Sequence, residues 1–364
     1  MLEGLKLKFS SSVNWNQARI EFISRFLIAL FQVRTVNLSE IASVFGGKAK
    51  EESHYKRLQR FFKDYTFKQI EIVKLLFAFF PLANAKVKLV MDRTNWKYGK
   101  ININILTLAV IYNDIAFPIF WKLLDKRGNS NTDERIEIMK DFISVFGVGK
   151  IEYLLADREF IGKDWIAFLQ GNHISFIIRI KENTLIPNSK GIFKKAKYFF
   201  YGLKDKQVIN LPKQRLIWGQ SVYVSGCRLA EQGLLIVITD KQEGDAVEKY
   251  AERWKIETLF GFLKTKGFCL EDTHLTNPDR IGKLFAILAI AFCWAYTLGE
   301  VLTQSKPITI KKHGRKAISV FKKGFKFIRK LFSSLDIIIT NQYKALIIQS
   351  LLKYNYDISK IVLY

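Results

Sequence analysis

The sequence predicts an α/β fold: a mixed sheet carrying a β-rich insertion, flanked by helical regions at both ends. Three observations lead there. Strand-like runs follow one another between residues 87 and 124, separated by short turn signals. Helix and strand patterns then alternate as far as residue 180. The first and fourth of these strands each end in an aspartate, Asp92 and Asp157.

Residues 1–80 read as helical. NLSEIASVFGG, from Asn37 to Gly47, opens on cap-like Asn37 and Ser39 and closes on a Gly pair. KEESHYKRLQRFFKDY, from Lys50 to Tyr65, places Leu58, Phe61 and Phe62 on one side and His54, Lys56, Arg57 and Arg60 at polar positions. Two short helices joined at glycines, the second basic, suggest a helix-turn-helix in which Arg57 and Arg60 meet DNA. A plain helical hairpin fits the pattern nearly as well.

Pro81 opens a new region. VKLVMD (87–92), NINILTLAVIY (102–112) and IAFPIFWKLL (115–124) are apolar runs, and Asn113-Asp114 between the last two is a hairpin signal. NTDERIEIMKDFISVFG (131–147) is an amphipathic helix with Thr132 and Asp133 near its start. IEYLLAD (151–157) is a buried strand, followed by the helix KDWIAFLQG and the strand ISFIIRI. Residues 192–233 are basic and then strand-like, a β-rich insertion. LLIVITD (234–240) returns to the main sheet. This order fits a mixed sheet of ribonuclease H type.

Composition limits the function. The 364 residues are 49% hydrophobic and include 30 Phe, enough for a sizeable core of two or three domains. Lys and Arg number 58 against 33 Asp and Glu, a net charge of +25, which predicts a polyanionic partner. The segment from Lys306 to Lys330 carries ten Lys or Arg and no acid, and reads as a polyanion contact. Cys227, Cys269 and Cys293 have no CxxC spacing, so no zinc or disulfide framework is legible. The first twenty residues lack an apolar run of secretory length, which together with the cysteine pattern favours a reducing, intracellular location. LFAILAIAFCWAYTLG (284–299) is shorter than the about 20 residues of a membrane span and reads as a helix buried on all sides. No repeat or low-complexity tract interrupts the chain.

YAERWKIETLFGFLK, from Tyr250 to Lys264, holds the other candidate residues. On one continuous helix at about 100° per residue, Tyr250, Arg253, Glu257 and Lys264 fall within roughly 60° of arc. A solvated, salt-bridged stripe is the simplest explanation of such a face. The acids argue for more. Asp92 and Asp157 would be neighbours on adjacent strands, and Glu257 could reach them from its helix. Three converging carboxylates repel one another without cations. Two Mg²⁺ or Mn²⁺ ions about 4 Å apart would hold the attacking and leaving oxygens of a displacement at phosphorus.

The chain resembles the DDE transposases of the insertion-sequence-four family. Tyr250, Arg253, Glu257 and Lys264 match that family's Tyr-x2-Arg-x3-Glu-x6-Lys signature, while MDRTNW (91–96) and ADREFIG (156–162) are similar to its two aspartate blocks. The likeness covers roughly residues 85–300. It implies Asp92, Asp157 and Glu257 as catalytic metal ligands and Tyr250, Arg253 and Lys264 as binders of transposon-end phosphates. It also implies a tryptophan stacked on a flipped base, with Trp254 and Trp218 both open as candidates. The partners implied are transposon ends and target DNA, with a homodimer in the DNA complex, and neither a membrane nor a small-molecule cofactor is expected. The domain organisation expected is a helical DNA-binding region (1–80), a catalytic domain in two parts (81–191 and 234–304), the insertion (192–233) and a basic helical C-terminal region (305–364). A catalytically inactive DNA-binding protein of the same fold, or a related nuclease, remains an alternative.

Overall fold

The computed structural model describes residues 2–229, 233–312, 314–333 and 346–353. Five helices come first: α1 (Leu2–Ser12), α2 (Gln17–Val33), α3 (Leu38–Ser43), α4 (Glu51–Asp64) and α5 (Gln69–Phe77). The strands β1 (Val87–Tyr98), β2 (Ile101–Tyr112) and β3 (Ile115–Leu123) follow, then α6 (Thr132–Phe146), β4 (Ile151–Ala156), α7 (Lys163–Gly171) and β5 (Phe176–Arg179). Six further strands are β6 (Leu185–Pro187), β7 (Phe193–Lys195), β8 (Val208–Asn210), β9 (Arg215–Ile217), β10 (Gln220–Leu229) and β11 (Gly233–Thr239). Helices α8 (Ala246–Ala251), α9 (Trp254–Gly261), α10 (Pro278–Ser305) and α11 (Val320–Ser333) complete the described elements. Two compact units result. One comprises Met1–Asn84, Trp96–Ile103 and the described residues from Phe260 onward; the other comprises Ala85–Asn95 and Asn104–Leu259.

The second unit is built on a nine-stranded mixed sheet ordered β3-β2-β1-β4-β5-β11-β10-β8, with β9 paired to β10. The first five positions are the 3-2-1-4-5 order of a ribonuclease H-like sheet, as the element order predicts. β4 runs parallel to both β1 and β5, whereas β11 is antiparallel to β5. From Ile103 to Ile111, β2 is buried at every residue, which is why its sequence is a continuous apolar run rather than an alternating one. Asn113 turns the β2–β3 hairpin with φ 51°, the left-handed conformation that Asn tolerates best after Gly. α6 begins with a full capping box: Asn131 accepts from the Glu134 N–H, and Glu134 accepts from the Asn131 N–H. Strands within residues 192–233 join two sheets. β10 and β8 extend the main sheet, while β6 and β7 form a small sheet of their own.

The first unit is helical. α3 and α4 flank Gly46 and Gly47, both at positive φ. His54 departs from its expected polar position: it is buried, its ring 5.4 Å from Phe45. α10 is capped by Asn277, whose Oδ1 accepts from the Arg280 N–H at 3.1 Å. It is long and apolar enough to cross a membrane, yet 94% of its apolar window is buried by protein. α11 packs on it, with Phe321 stacked on Phe292 at 4.6 Å; Phe325, Ile328 and Leu331 are buried too, while Lys322, Lys326 and Lys330 are exposed. These two helices meet backbone to backbone: a Cβ on Gly324 would lie 1.9 Å from the Ala295 carbonyl oxygen. Of the expected basic region 305–364, residues 313, 334–345 and 354–364 lie outside the described residues.

Candidate active site

Sheet register brings the two aspartates together. Met91 on β1 pairs with Ala156 on β4 in a parallel ladder. Asp92 and Asp157 are the next residues on each side, so adjacent strands deliver them to the same edge of the ladder. They are close enough for Asp157 to raise the Asp92 pKa.

The segment from Tyr250 to Lys264 is not one uniform helix. α8 ends at Ala251 and α9 begins at Trp254. Between them the backbone closes in i to i+3 bonds: Glu252 to the Lys249 carbonyl, Arg253 to Tyr250, Lys255 to Glu252 and Ile256 to Arg253. Such tightening toward three residues per turn eclipses side chains three apart. Arg253 accordingly lies over the Tyr250 ring at 5.7 Å. A π turn, Phe262–Lys266, then ends the segment.

Neither side chain is a solvated stripe. Tyr250 is 5% exposed and Arg253 6%. Arg253 donates from one terminal nitrogen to Asp92 Oδ2 at 3.0 Å and from the other to Glu257 Oε1 at 2.5 Å. The Tyr250 hydroxyl donates to Asp157 Oδ1 at 3.3 Å, and an Arg179 nitrogen lies 4.0 Å from the same oxygen. The tight turn is pinned by Glu252, which accepts from Lys88 at 2.8 Å, Tyr153 at 3.2 Å and Lys255 at 2.8 Å.

Burial dominates the electrostatics. It pushes the Asp92 carboxyl up to about 7, and Glu159 and Asp157 push the same way, against Arg253 and the Arg93 N–H. Burial opposes the Arg253 charge, but Tyr250, Asp92 and Glu257 outweigh it and the guanidinium is held firmly protonated. The Tyr250 phenol is raised by burial, with Asp157 adding to the shift.

Five of the predicted residues therefore form one network: Asp92, Asp157, Tyr250, Arg253 and Glu257. The donors available are hard carboxylate oxygens. Among the described residues no three His, Cys, Asp or Glu side chains form a ready metal cage, and the cation between Asp92 and Glu257 is Arg253. Trp254 is 58% exposed, so it is not a core residue. Trp218 lies in the β9–β10 turn at φ 51°. Lys264 belongs to the helical unit, where it pairs with Glu271 at 2.7 Å. Arg57 and Arg60 are exposed on α4, with Arg57 over the Phe22 ring at 5.4 Å.

The sequence reading missed a second ring of residues. Arg93 follows Asp92 and forks onto Glu159, both contacts at 3.2 Å, while also donating to Asn104 at 3.1 Å. Buried Arg135 on α6 donates to the carbonyls of Ser130, Glu159 (3.0 Å) and Ile161 (3.2 Å). Arg93 straps the loop after Asp157 to the strand carrying Asp92, and Arg135 ties the same loop to α6. Only Arg93 carried a local signal, a charge directly beside a strand-end acid; nothing nearby in sequence marked Glu159 or Arg135.

Comparisons with known proteins bear on this site. No curated protein matches the chain. A solved structure, the piggyBac transposase synaptic complex with hairpin DNA, is similar at 10% identity with a TM-score of 0.42, over 95% of this chain and 82% of that one. The family described as the transposase DDE domain matches residues 85–294, more than half of the chain and all five networked residues. The chain belongs to the DDE-domain transposases.

Proposed function

We propose that this chain is the transposase of an insertion sequence, a member of the insertion-sequence-four family. It binds the terminal inverted repeats of its element and then cuts and rejoins DNA. The observation that carries the reading is the position of Asp92 and Asp157, each one residue beyond the Met91–Ala156 register pair, with Glu257 tied to Asp92 through Arg253.

DDE transposases are generally dependent on divalent metals. Asp92, Asp157 and Glu257 would hold two Mg²⁺ or Mn²⁺ ions, and the all-carboxylate donor set suits such hard cations. When bound, the ions supply Lewis-acid activation of phosphate oxygens and of the attacking water. In the first step a water oxygen bonds to phosphorus, the P–O3′ bond breaks, and a free 3′-OH leaves. In the second, that hydroxyl attacks a target phosphate, so one phosphodiester replaces another. The protein's own side chains orient the reacting strand. Arg253 forks onto a phosphate, Tyr250 donates one hydrogen bond and Lys264 supplies a point charge. Exposed Trp254 offers a face for an unstacked base. Residues 1–80, with Arg57 and Arg60, bind the duplex, and the basic residues after Lys306 add phosphate contacts. A homodimer would hold the two ends together in the nucleoid.

The test is cleavage of duplex DNA carrying the sequences that flank the gene. Mg²⁺-dependent nicking at the repeat, leaving a 3′-OH, is expected of the wild type. Asp92→Asn, Asp157→Asn and Glu257→Gln should each lose cleavage while keeping duplex binding. Near-normal cleavage by any one of them removes that residue from the site.

A further inference from the structure

Resting on the reading of Asp92 and Glu257 as metal ligands, we propose that Arg253 is a displaceable internal cation. It occupies those two carboxylates until a divalent ion takes them, and the freed guanidinium then takes a DNA phosphate. Metal and DNA end are thereby coupled through one side chain.

Three observations support this. First, the carboxylates are engaged. Asp92 Oδ2 accepts from Arg253 at 3.0 Å and Oδ1 accepts from the Arg93 N–H at 2.7 Å, while Glu257 Oε1 accepts the other arm of the fork. A divalent ion on these oxygens would face the guanidinium at contact distance, and like charges so placed repel.

Second, Arg253 cannot drift into solvent at no cost. Its side chain is 7% exposed, and a buried guanidinium needs an anion. Once its carboxylates are taken, a phosphate of the bound end is the anion whose geometry matches its fork.

Third, the fork has a spare donor. Arg253 Nε is buried with no hydrogen-bond partner among the described residues. An arginine serving only as a structural clamp would more commonly satisfy this atom. Nε and a terminal nitrogen together form the edge that grips a tetrahedral anion in two places.

The coupling has a required sign. The metal expels Arg253 from the carboxylates, and the phosphate stabilises it where it lands. Each ligand then tightens the other by the same factor. Without DNA, Arg253 competes with the metal, so the site is held closed when no end is bound.

The experiment measures Mn²⁺ binding by calorimetry, without DNA, for the full-length wild type, Arg253→Ala, Arg253→Lys and Asp92→Asn. Arg253→Ala should bind Mn²⁺ about fivefold or more tightly than wild type. Arg253→Lys, lacking the fork, should fall between them. Adding a duplex of the gene's flanking sequence should tighten Mn²⁺ binding to wild type and leave Arg253→Ala nearly unchanged. Equal or weaker Mn²⁺ affinity in Arg253→Ala overturns the proposal. If Arg253→Ala does not fold by circular dichroism, Arg253→Lys decides: tighter binding than wild type supports competition, and equal or weaker binding removes it. Asp92→Asn separates the two levels of the argument. Loss of Mn²⁺ binding there, with Arg253→Ala like wild type, sinks the competition alone. Wild-type Mn²⁺ binding by Asp92→Asn sinks the metal site and the competition together.

Discussion

Removing the Asp92 charge should stabilise the metal-free protein. The folded site raises the Asp92 carboxyl from 3.8 to about 7, chiefly by burial. An acid whose folded pKa lies above its unfolded value binds its proton more tightly when folded. Its ionisation therefore costs stability: nothing below about pH 4, progressively more up to pH 7, and a constant amount above. About three units at roughly 1.4 kcal/mol each set a ceiling of about 4 kcal/mol. The Asp92–Arg253 attraction is already contained in that shift, so Asn, which resembles the protonated acid, should recover most of it. Asp92→Asn should gain about 2–4 kcal/mol at pH 8 and about 1 kcal/mol at pH 5. At about 2–4 °C per kcal/mol for a unit of this size, the melting temperature should rise by roughly 4–16 °C at pH 8. The assay is calorimetry in chelator across pH 4–8, repeated with saturating Mg²⁺. Ion binding should lift the wild type by about 3 kcal/mol at a hundredfold excess over Kd and so shrink the variant's advantage. A variant that melts below wild type at pH 8 without metal, or an advantage that does not grow with pH, would refute the reasoning.

Further expectations follow from other sites. Gly324→Ala would put a methyl 1.9 Å from the Ala295 carbonyl, forcing α10 and α11 apart and costing about 3 kcal/mol or more; an unchanged melting temperature for the helical unit would contradict that packing. Buried Lys8, lowered to about 8 by burial, releases its proton more readily folded than unfolded, so its contribution to stability should rise between pH 8 and 10.5. Lys8→Met should abolish that rise and be more stable at pH 7 by about 2–3 kcal/mol, less the lost bond to the Ala78 carbonyl; matching pH profiles for the two proteins would disprove it. Trp254→Ala should leave stability within about 0.5 kcal/mol and weaken end-DNA binding by about 1–3 kcal/mol, and unchanged end affinity in a binding titration would take Trp254 out of the interface.

Sheet order and the two aspartates were legible because burial writes them plainly. A strand covered on both faces reads as an apolar run, so β2 and β4 stand out, and an acid at the end of such a run is conspicuous. Parallel register then placed Asp92 beside Asp157 without further information. The extension of β1 from Asp92 to Tyr98 was not legible, since its polar residues RTNWKY give no strand period. His54 misled because a lone histidine among Lys and Arg reads as surface, whereas its ring is covered by Phe45. Arg93, Glu159 and Arg135 were hidden for a different reason. The bonds that join Arg93 and Arg135 to Glu159 span 66 and 24 positions, and no local pattern encodes a long-range hydrogen bond.

The segment from Tyr250 to Lys264 shows how a small backbone change redirects function. On an ideal helix, Arg253 and Glu257 are an i,i+4 pair, and such pairs are ordinarily exposed and worth a few tenths of a kcal/mol. Here the turn tightens at Glu252, and that tightening is paid for by three hydrogen bonds from Lys88, Tyr153 and Lys255 to one carboxylate. Lys88 and Tyr153 sit on β1 and β4, the same two strands that carry the aspartates. The anchor of the turn and the acids thus share a foundation, so the strand pair that positions Asp92 also fixes where Arg253 points. Arg253 becomes buried while Glu257 stays partly exposed, the pair gains Asp92 as a third member, and the guanidinium charge can no longer be dispersed into water. A salt bridge of little consequence on a surface is converted into one that any cation entering the site must contend with.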